Sequence, residues 1–272
     1  MVQRAGVELA VEETGQGTPV LLLHGLTATR RYVVMGSKAL ERSGHRVVGF
    51  DARGHGRSSP APSADGYGYG YDELAGDAVA VLDALEIERA VLAGASMGAH
   101  TAIRVVASVP ERVAGLVLAT PGYDPATSDE PSRLAHWDAL SDGLRRGGID
   151  GFVAAYGEPQ VTPALRETVI KVIRQRLAQH QHPDAVADAL HVVPRSRPFA
   201  ELEDLASITV PVVVLASSDD ADPEHPQSIG EAYAAAIPGA RLVLDEPGHS
   251  PIAWQGSQLS RVIAEVAEEA AG

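Results

Sequence analysis

The sequence predicts an α/β fold with a mostly parallel central sheet flanked by helices, and three observations predict it. Short runs of β-branched and aliphatic residues recur along the chain, longer amphipathic stretches separate them, and most runs are apolar without alternation. Unbroken apolar runs suit strands covered on both faces, as crossover helices leave them.

Val7 to Glu12 alternates instead and reads as an early, exposed hairpin strand. Val20-Leu21-Leu22-Leu23, Val47-Val48-Gly49-Phe50, Ala90-Val91-Leu92-Ala93 and Gly115-Leu116-Val117-Leu118 are the continuous runs, followed late in the chain by Val210 to Ala216 and Ala240 to Leu244. Pro211 falls at the start of its strand, where the missing N–H costs least. Helical patterns cover Arg30 to Ser43, Tyr71 to Leu85, Met97 to Val109, Ser228 to Ala236 and Gln258 to Ala270. The alternation Gly66-Tyr67-Gly68-Tyr69-Gly70-Tyr71 reads as a surface loop entering a helix.

Between Pro121 and Ser207 the strand signal disappears, and helix-like stretches are broken by Gly147-Gly148, Pro159, Pro163, Pro183 and Pro194. The expected organisation is a core built from residues 1–121 and 207–272, with 122–206 inserted as a helical cap.

Composition narrows the function classes. At 272 residues, 45% hydrophobic and 21% charged, the chain has enough apolar content for one large domain and no apolar run long enough for a bilayer. A formal net charge of -14 opposes nucleic acid and anionic membranes, which would be repelled. The absence of cysteine removes disulfides, thiolate catalysis and Cys-based metal sites. Glu8, Glu12 and Glu13 stand where a secretory leader would need a basic start and an apolar stretch, so a cytoplasmic location is expected.

Gly94-Ala95-Ser96-Met97-Gly98 follows a buried run and precedes a helical pattern, the strand, turn and helix context of a nucleophile elbow. A turn this sharp strains the serine backbone and needs small neighbours on both sides, which Gly94 and Gly98 supply. It lifts the Ser96 hydroxyl to the carboxyl end of the sheet and the N-terminus of a helix, where developing negative charge is favoured.

A serine hydroxyl needs a base within hydrogen-bond reach and a third group to orient that base. His249, in the loop Pro247-Gly248-His249-Ser250 after the final strand candidate, is the expected base. His45, His55, His180, His182 and His191 read as surface or core residues. The orienting carboxylate comes from the cluster Asp219, Asp220 and Asp222 after Val210 to Ala216. Asp220 is favoured over Asp222, which opens the rigid turn Asp222-Pro223-Glu224-His225-Pro226, and Asp124 is a third candidate. Leu23-His24-Gly25-Leu26-Thr27 follows another strand, so the Leu26 and Met97 amides would form an oxyanion hole.

These landmarks resemble the α/β-hydrolase fold family, in its cap-bearing esterase, lactonase and carbon–carbon hydrolase branch. The resemblance rests on His24-Gly25, on Asp51-Ala52-Arg53-Gly54-His55-Gly56-Arg57-Ser58, on the Ser96 elbow, on the aspartate cluster and on Gly248-His249, in the family's order. It implies that Asp51, Arg53 and His55 are architectural, and a serine rather than an aspartate nucleophile argues against dehalogenase and epoxide hydrolase chemistry. Ser217-Ser218 departs from the glycine usual in the family, which leaves the acid open between Asp220 and Asp222.

The expected activity is hydrolysis of a small carboxylic ester or lactone through an acyl-serine, with no metal or organic cofactor. Carbon–carbon cleavage, a perhydrolase or haloperoxidase reaction in the same site, and a small-molecule receptor on a hydrolase scaffold are the rivals. Trp137, Phe152, Tyr156 and Trp254 are candidates for lining the substrate space.

Overall fold

The computed structural model describes residues 1–62, 68–217, 225–246 and 252–271, and its architecture follows from how the apolar runs are buried. A seven-stranded sheet carries the order β3 (Val11–Thr14), β5 (His45–Phe50), β4 (Thr18–Leu23), β6 (Ala90–Ala95), β7 (Val113–Ala119), β8 (Val212–Ala216) and β9 (Arg241–Leu244). Only the β3–β5 pairing is antiparallel.

Each run feeds both faces by the strand's two-residue period. Leu21, Leu23, Leu92, Leu116, Leu118 and Val214 point to one face, where α2 (Tyr71–Ala84), α3 (Met97–Ser108) and α7 (Gln227–Ala236) contribute Ala78, Val81, Ile103 and Tyr233. Val20, Leu22, Val91, Val117, Val213 and Leu215 point to the other, under Leu40 of α1 (Ala39–Arg42) and Leu259, Ile263 and Val266 of α8 (Gly256–Ala271).

The alternating segment Val7 to Glu12 is not one strand. Val7–Leu9 (β2) pairs with a strand the apolar pattern does not reveal, Val2–Arg4 (β1), while Val11 onward joins the main sheet as β3. The break is at Ala10, whose N–H donates to Ser58 Oγ (2.9 Å) and whose carbonyl accepts from the Asp51 N–H (3.0 Å). The helix expected over Arg30 to Ser43 is likewise interrupted, because Met35 and Gly36 turn left-handed at φ 49° and 73°. It survives as a short 3₁₀ turn at Arg30–Tyr32 and as α1. Nor is the tyrosine–glycine stretch all surface: Tyr69 and Tyr71 are buried.

Between β7 and β8 the regular elements are all helical: α4 (Pro131–Tyr156), α5 (Pro163–Leu177), α6 (Pro183–Val192) and short 3₁₀ turns, joined by loops. The expected break at Gly147-Gly148 is present: Gly148 leaves helical geometry (φ 58°, ψ -147°) and divides α4 into two helical segments. The bend folds α4 back so closely that a Cβ on Gly143 would lie 2.5 Å from the Gly151 carbonyl oxygen. Leu140, Leu144, Phe152, Ile173, Val186 and Leu190 of this insertion form one cluster with Leu26, Ala52, Tyr71 and Met97 of the sheet domain.

The order of strands fixes where a site belongs. From β4 the chain steps to β5 on one side and then to β6 on the other, with Leu23 paired to Gly94. Such a reversal opens a crevice beyond the carboxyl ends of the strands, between the loops that leave them.

Candidate active site

Ser96 joins β6 to α3 at φ 50° and ψ -115°, a conformation that a residue with a side chain adopts only under constraint. The constraints are visible. The Ser96 N–H donates to the Ala119 carbonyl (2.9 Å), and its own carbonyl accepts from Ala99 (2.9 Å) and His100 (3.1 Å). A Cβ on Gly98 would stand 2.0 Å from the Leu23 carbonyl oxygen, and one on Gly94 would stand 2.2 Å from the Gly98 carbonyl. Both glycines are therefore required by backbone contact, as the sequence leads one to expect. Ser96 itself stays half-buried.

The loop after β4 lies alongside. A Cβ on Gly25 would be 3.7 Å from the Ser96 Cβ, and the Ala28 N–H closes a turn onto the Gly25 carbonyl at 3.0 Å, with Leu26 inside that turn. Met97, as the first residue of α3, has no carbonyl of its own helix within register to accept its N–H. Leu26 and Met97 both pack in the cluster shared with the helical insertion.

Buried histidines lock this loop. The Ala52 N–H donates to His24 Nε2 (2.9 Å), which places the ring proton on Nδ1, 2.8 Å from the Gly25 carbonyl. His55 faces the Leu26 carbonyl through Nε2 (2.7 Å) and the Arg53 carbonyl through Nδ1 (2.9 Å), so a neutral ring donates to one of them at a time. His180, from the insertion, accepts the Gly56 N–H on Nδ1 (2.9 Å) and donates from Nε2 to the Thr27 carbonyl (3.2 Å). Burial, as the main cause, pushes His24 down to about 4 and His180 to about 3, and it lowers His55 too. All three rings are held neutral.

The other members of the Asp51 to Ser58 segment are structural, in line with the resemblance. Asp51 accepts from the backbone N–H groups of Arg30 (2.9 Å) and Arg57 (3.0 Å) and pairs with the Arg30 guanidinium. Arg53 grips Asp77 through two bonds of 2.7 Å, with both side chains buried.

His249, Asp220 and Asp222 lie outside the described residues. The imidazole described at the nucleophile is His225, whose Nε2 is 2.9 Å from Ser96 Oγ. The sequence offered a signal for it, since the loop after β8, like the loop after β9, leaves the carboxyl edge of the sheet. Asp124 is engaged with its own turn, accepting from the Ala126 N–H (2.9 Å) and the Thr127 hydroxyl (3.3 Å).

His100 is a second residue the motifs did not single out. Its Nε2 accepts from the N–H groups of Gly122 (3.2 Å) and Tyr123 (3.1 Å), and its Nδ1 meets the Tyr71 hydroxyl at 3.0 Å. Burial drives it down to about 3, helped by the neighbouring His225 and Arg133 side chains. It fastens the loop after β7 to α3 and α2. Of the aromatic candidates for the substrate space, Phe152 is buried in the insertion cluster with Trp137 and Tyr156 packed on it, whereas Trp254 packs beside α8 on the far face of the sheet.

No group of histidine, aspartate and glutamate side chains among the described residues is arranged to hold a metal ion. No helix among them is long and apolar enough to cross a membrane.

Known proteins share this fold. An esterase from Thermogutta terrifontis superposes with a TM-score of 0.79 at 29% identity, covering 97% of this chain and 94% of that one. Est816, described as an N-acyl homoserine lactone degrading enzyme, superposes with a TM-score of 0.73 at 27% identity, over 98% and 97% of the two chains. A 2-hydroxy-6-oxononadienedioate/2-hydroxy-6-oxononatrienedioate hydrolase of Pseudomonas putida is 28% identical over 253 residues, 89% of this chain and 85% of that one. Residues 18–255 match the family described as alpha/beta hydrolase fold, and the chain belongs to that family.

Proposed function

We propose that the protein hydrolyses a carboxylic ester or lactone of a small molecule through an acyl-serine intermediate. The observation that carries this reading is Ser96, held at φ 50° on an elbow that the close backbone approaches at Gly94 and Gly98 enforce.

Ser96 Oγ attacks the substrate carbonyl carbon while a histidine removes its proton, and the Leu26 and Met97 amides bind the oxyanion. Each such donor contributes about 3–4 kcal/mol to transition-state binding. The tetrahedral carbon then expels the alkoxy oxygen, which leaves with the proton, and water repeats the sequence on the acyl-serine. His249 serves the cycle as general base and acid, oriented by Asp220 or Asp222. Residues 122–206 act as a cap whose apolar underside, continuous with Leu26 and Met97, excludes water from the acyl group. The esterase and lactone-degrading relatives support this substrate class.

Treatment with a fluorophosphonate followed by peptide mapping tests the reading. The adduct is expected on Ser96, and folded protein with Ser96 unlabelled overturns it. Chromogenic short-chain esters and lactones assayed beside a dienoic diketone then separate ester hydrolysis from carbon–carbon cleavage. Asp220→Asn is expected to lower turnover more than Asp222→Asn.

A further inference from the structure

On the reading of Ser96 as nucleophile and of the Leu26 amide as oxyanion donor, the aim of that amide depends on two peptide planes. A peptide group is rigid and trans, so the carbonyl of one residue and the N–H of the next point in opposite directions. The Leu26 N–H therefore points away from whatever holds the Gly25 carbonyl. That carbonyl accepts from His24 Nδ1 (2.8 Å) and from the Ala28 N–H (3.0 Å), and these two donors fix the first plane.

The second plane joins Thr27 to Ala28. Its N–H end is the Ala28 donor that closes onto Gly25, and its carbonyl end faces His180 Nε2 at 3.2 Å. Nδ1 of the same ring accepts from the Gly56 N–H (2.9 Å), so the neutral ring carries its proton on Nε2 and donates it to Thr27. A mechanical chain thus runs from His180 through the Thr27 and Ala28 plane to the Gly25 carbonyl, and ends on the Leu26 N–H. His180 comes from the helical insertion, in the turn between α5 and α6, and it is itself well held. The Gln181 N–H donates to the Gly56 carbonyl (2.9 Å), so consecutive residues of the insertion engage both backbone groups of Gly56. The His55 ring meets the His180 ring edge-on, with centroids 5.4 Å apart.

We propose that His180 is a positioning residue for the oxyanion hole, through which the docked insertion holds the Leu26 amide in its working direction. It acts on the backbone of the loop after β4 and not on the substrate. Removing its donor frees the carbonyl end of the second plane, and the Ala28 bond that braces the first plane weakens with it. Misplacement on the order of 1 Å at a reacting centre costs on the order of 100-fold in rate, so a loose donor is enough to slow the enzyme. The insertion then does more than cover the acyl group: it completes the oxyanion hole from outside the sheet domain.

Two amide variants of the full chain divide the functions of the ring. His180→Asn keeps an acceptor near the place of Nδ1 for the Gly56 N–H but has no donor that reaches Thr27. His180→Gln is longer and brings its NH₂ group to the place of Nε2, restoring that donor. In hydrolysis of p-nitrophenyl acetate, His180→Asn is expected to lower kcat by about 10- to 100-fold with KM little changed, the mark of an interaction made only in the transition state. His180→Gln is expected to recover most of that loss. A wild-type kcat in His180→Asn overturns the proposal, as does a His180→Gln variant no faster than His180→Asn. A trifluoromethyl ketone, which adds to the serine as an oxyanion, reads the hole directly. Its inhibition constant should rise in His180→Asn by the factor that kcat/KM falls, and an unchanged constant shows that His180 does not serve the oxyanion.

Wild-type protein gives a readout that does not depend on how the variants fold. With histidine labelled at its ring nitrogens, His180 is expected to be neutral at pH 7 with its proton on Nε2. A proton on Nδ1, or a charged ring, removes the donor to Thr27 and overturns the proposal. Failure of wild-type Ser96 to react with the fluorophosphonate refutes the nucleophile reading itself, whereas normal labelling of the wild type together with wild-type turnover in His180→Asn refutes only the role of His180.

Discussion

Acidification from pH 7 to pH 5 is expected to destabilise this protein far more than its surface charge would suggest, because it carries histidines that are buried neutral. His24 is held at about 4, and His100 and His180 at about 3, each chiefly by burial. A group whose folded value is depressed in this way stays uncharged in the native chain while the unfolded chain binds a proton below about pH 6.5. The stabilisation is therefore complete above that value and is lost as pH falls toward the folded values. At pH 5 each fully buried imidazole contributes a loss of about 2 kcal/mol. His24 and His100 together give about 4 kcal/mol, and His180, less enclosed, raises the total to at most about 6 kcal/mol. With an unfolding entropy of about 2.1 cal/mol/K per residue over 272 residues, the melting temperature should fall by about 7–10 °C. Carboxylates add little in this window, since their ordinary values lie near 4. Calorimetric melts at half-unit pH intervals measure the slope, and His100→Gln should flatten it by removing one titrating group. A melting temperature unchanged between pH 7 and pH 5, or an undiminished slope in His100→Gln, would refute the account.

Two further perturbations test the scaffold. Asp77→Asn leaves the Arg53 guanidinium buried without a matching charge and should cost about 3–5 kcal/mol, read as a fall of roughly 5–9 °C in melting temperature; the volume-conserving pair Arg53→Met with Asp77→Leu should recover most of it. Gly98→Ala drives a methyl into the Leu23 backbone, and the displaced elbow should slow fluorophosphonate labelling of Ser96 on the order of 100-fold; labelling at the wild-type rate would show that α3 and β4 need no such approach.

Most of the sheet was legible in the sequence because its strands are buried on both faces. Val20 to Leu23, Ala90 to Ala93 and Gly115 to Leu118 are apolar without interruption, and each lies within a strand. The elbow was legible for a different reason, since the backbone approaches at Gly94 and Gly98 leave no room for a Cβ. What escaped depends on tertiary partners. Val2–Arg4 is a strand only because Val7–Leu9 pairs with it, and Arg30 to Ser43 has a helical pattern that Met35 and Gly36 override. His225, His100 and His180 owe their roles to loops brought together from distant parts of the chain, which no local spacing records.

The reversal of strand order at β4 also has a bearing on how the protein folds. Leu23 and Gly94 become neighbours only when β6 docks on the far side of β4, and Ser96 meets His225 only after β8 and α7 have joined. Contacts of such long sequence separation form late, since loop-closure entropy must be overcome before they yield any stabilisation. Helices α2 and α3 are built from local contacts and can form earlier. On refolding from denaturant, recovery of reactive Ser96 should lag behind recovery of helical dichroism, which makes the nucleophile a chemical reporter of the last step of assembly.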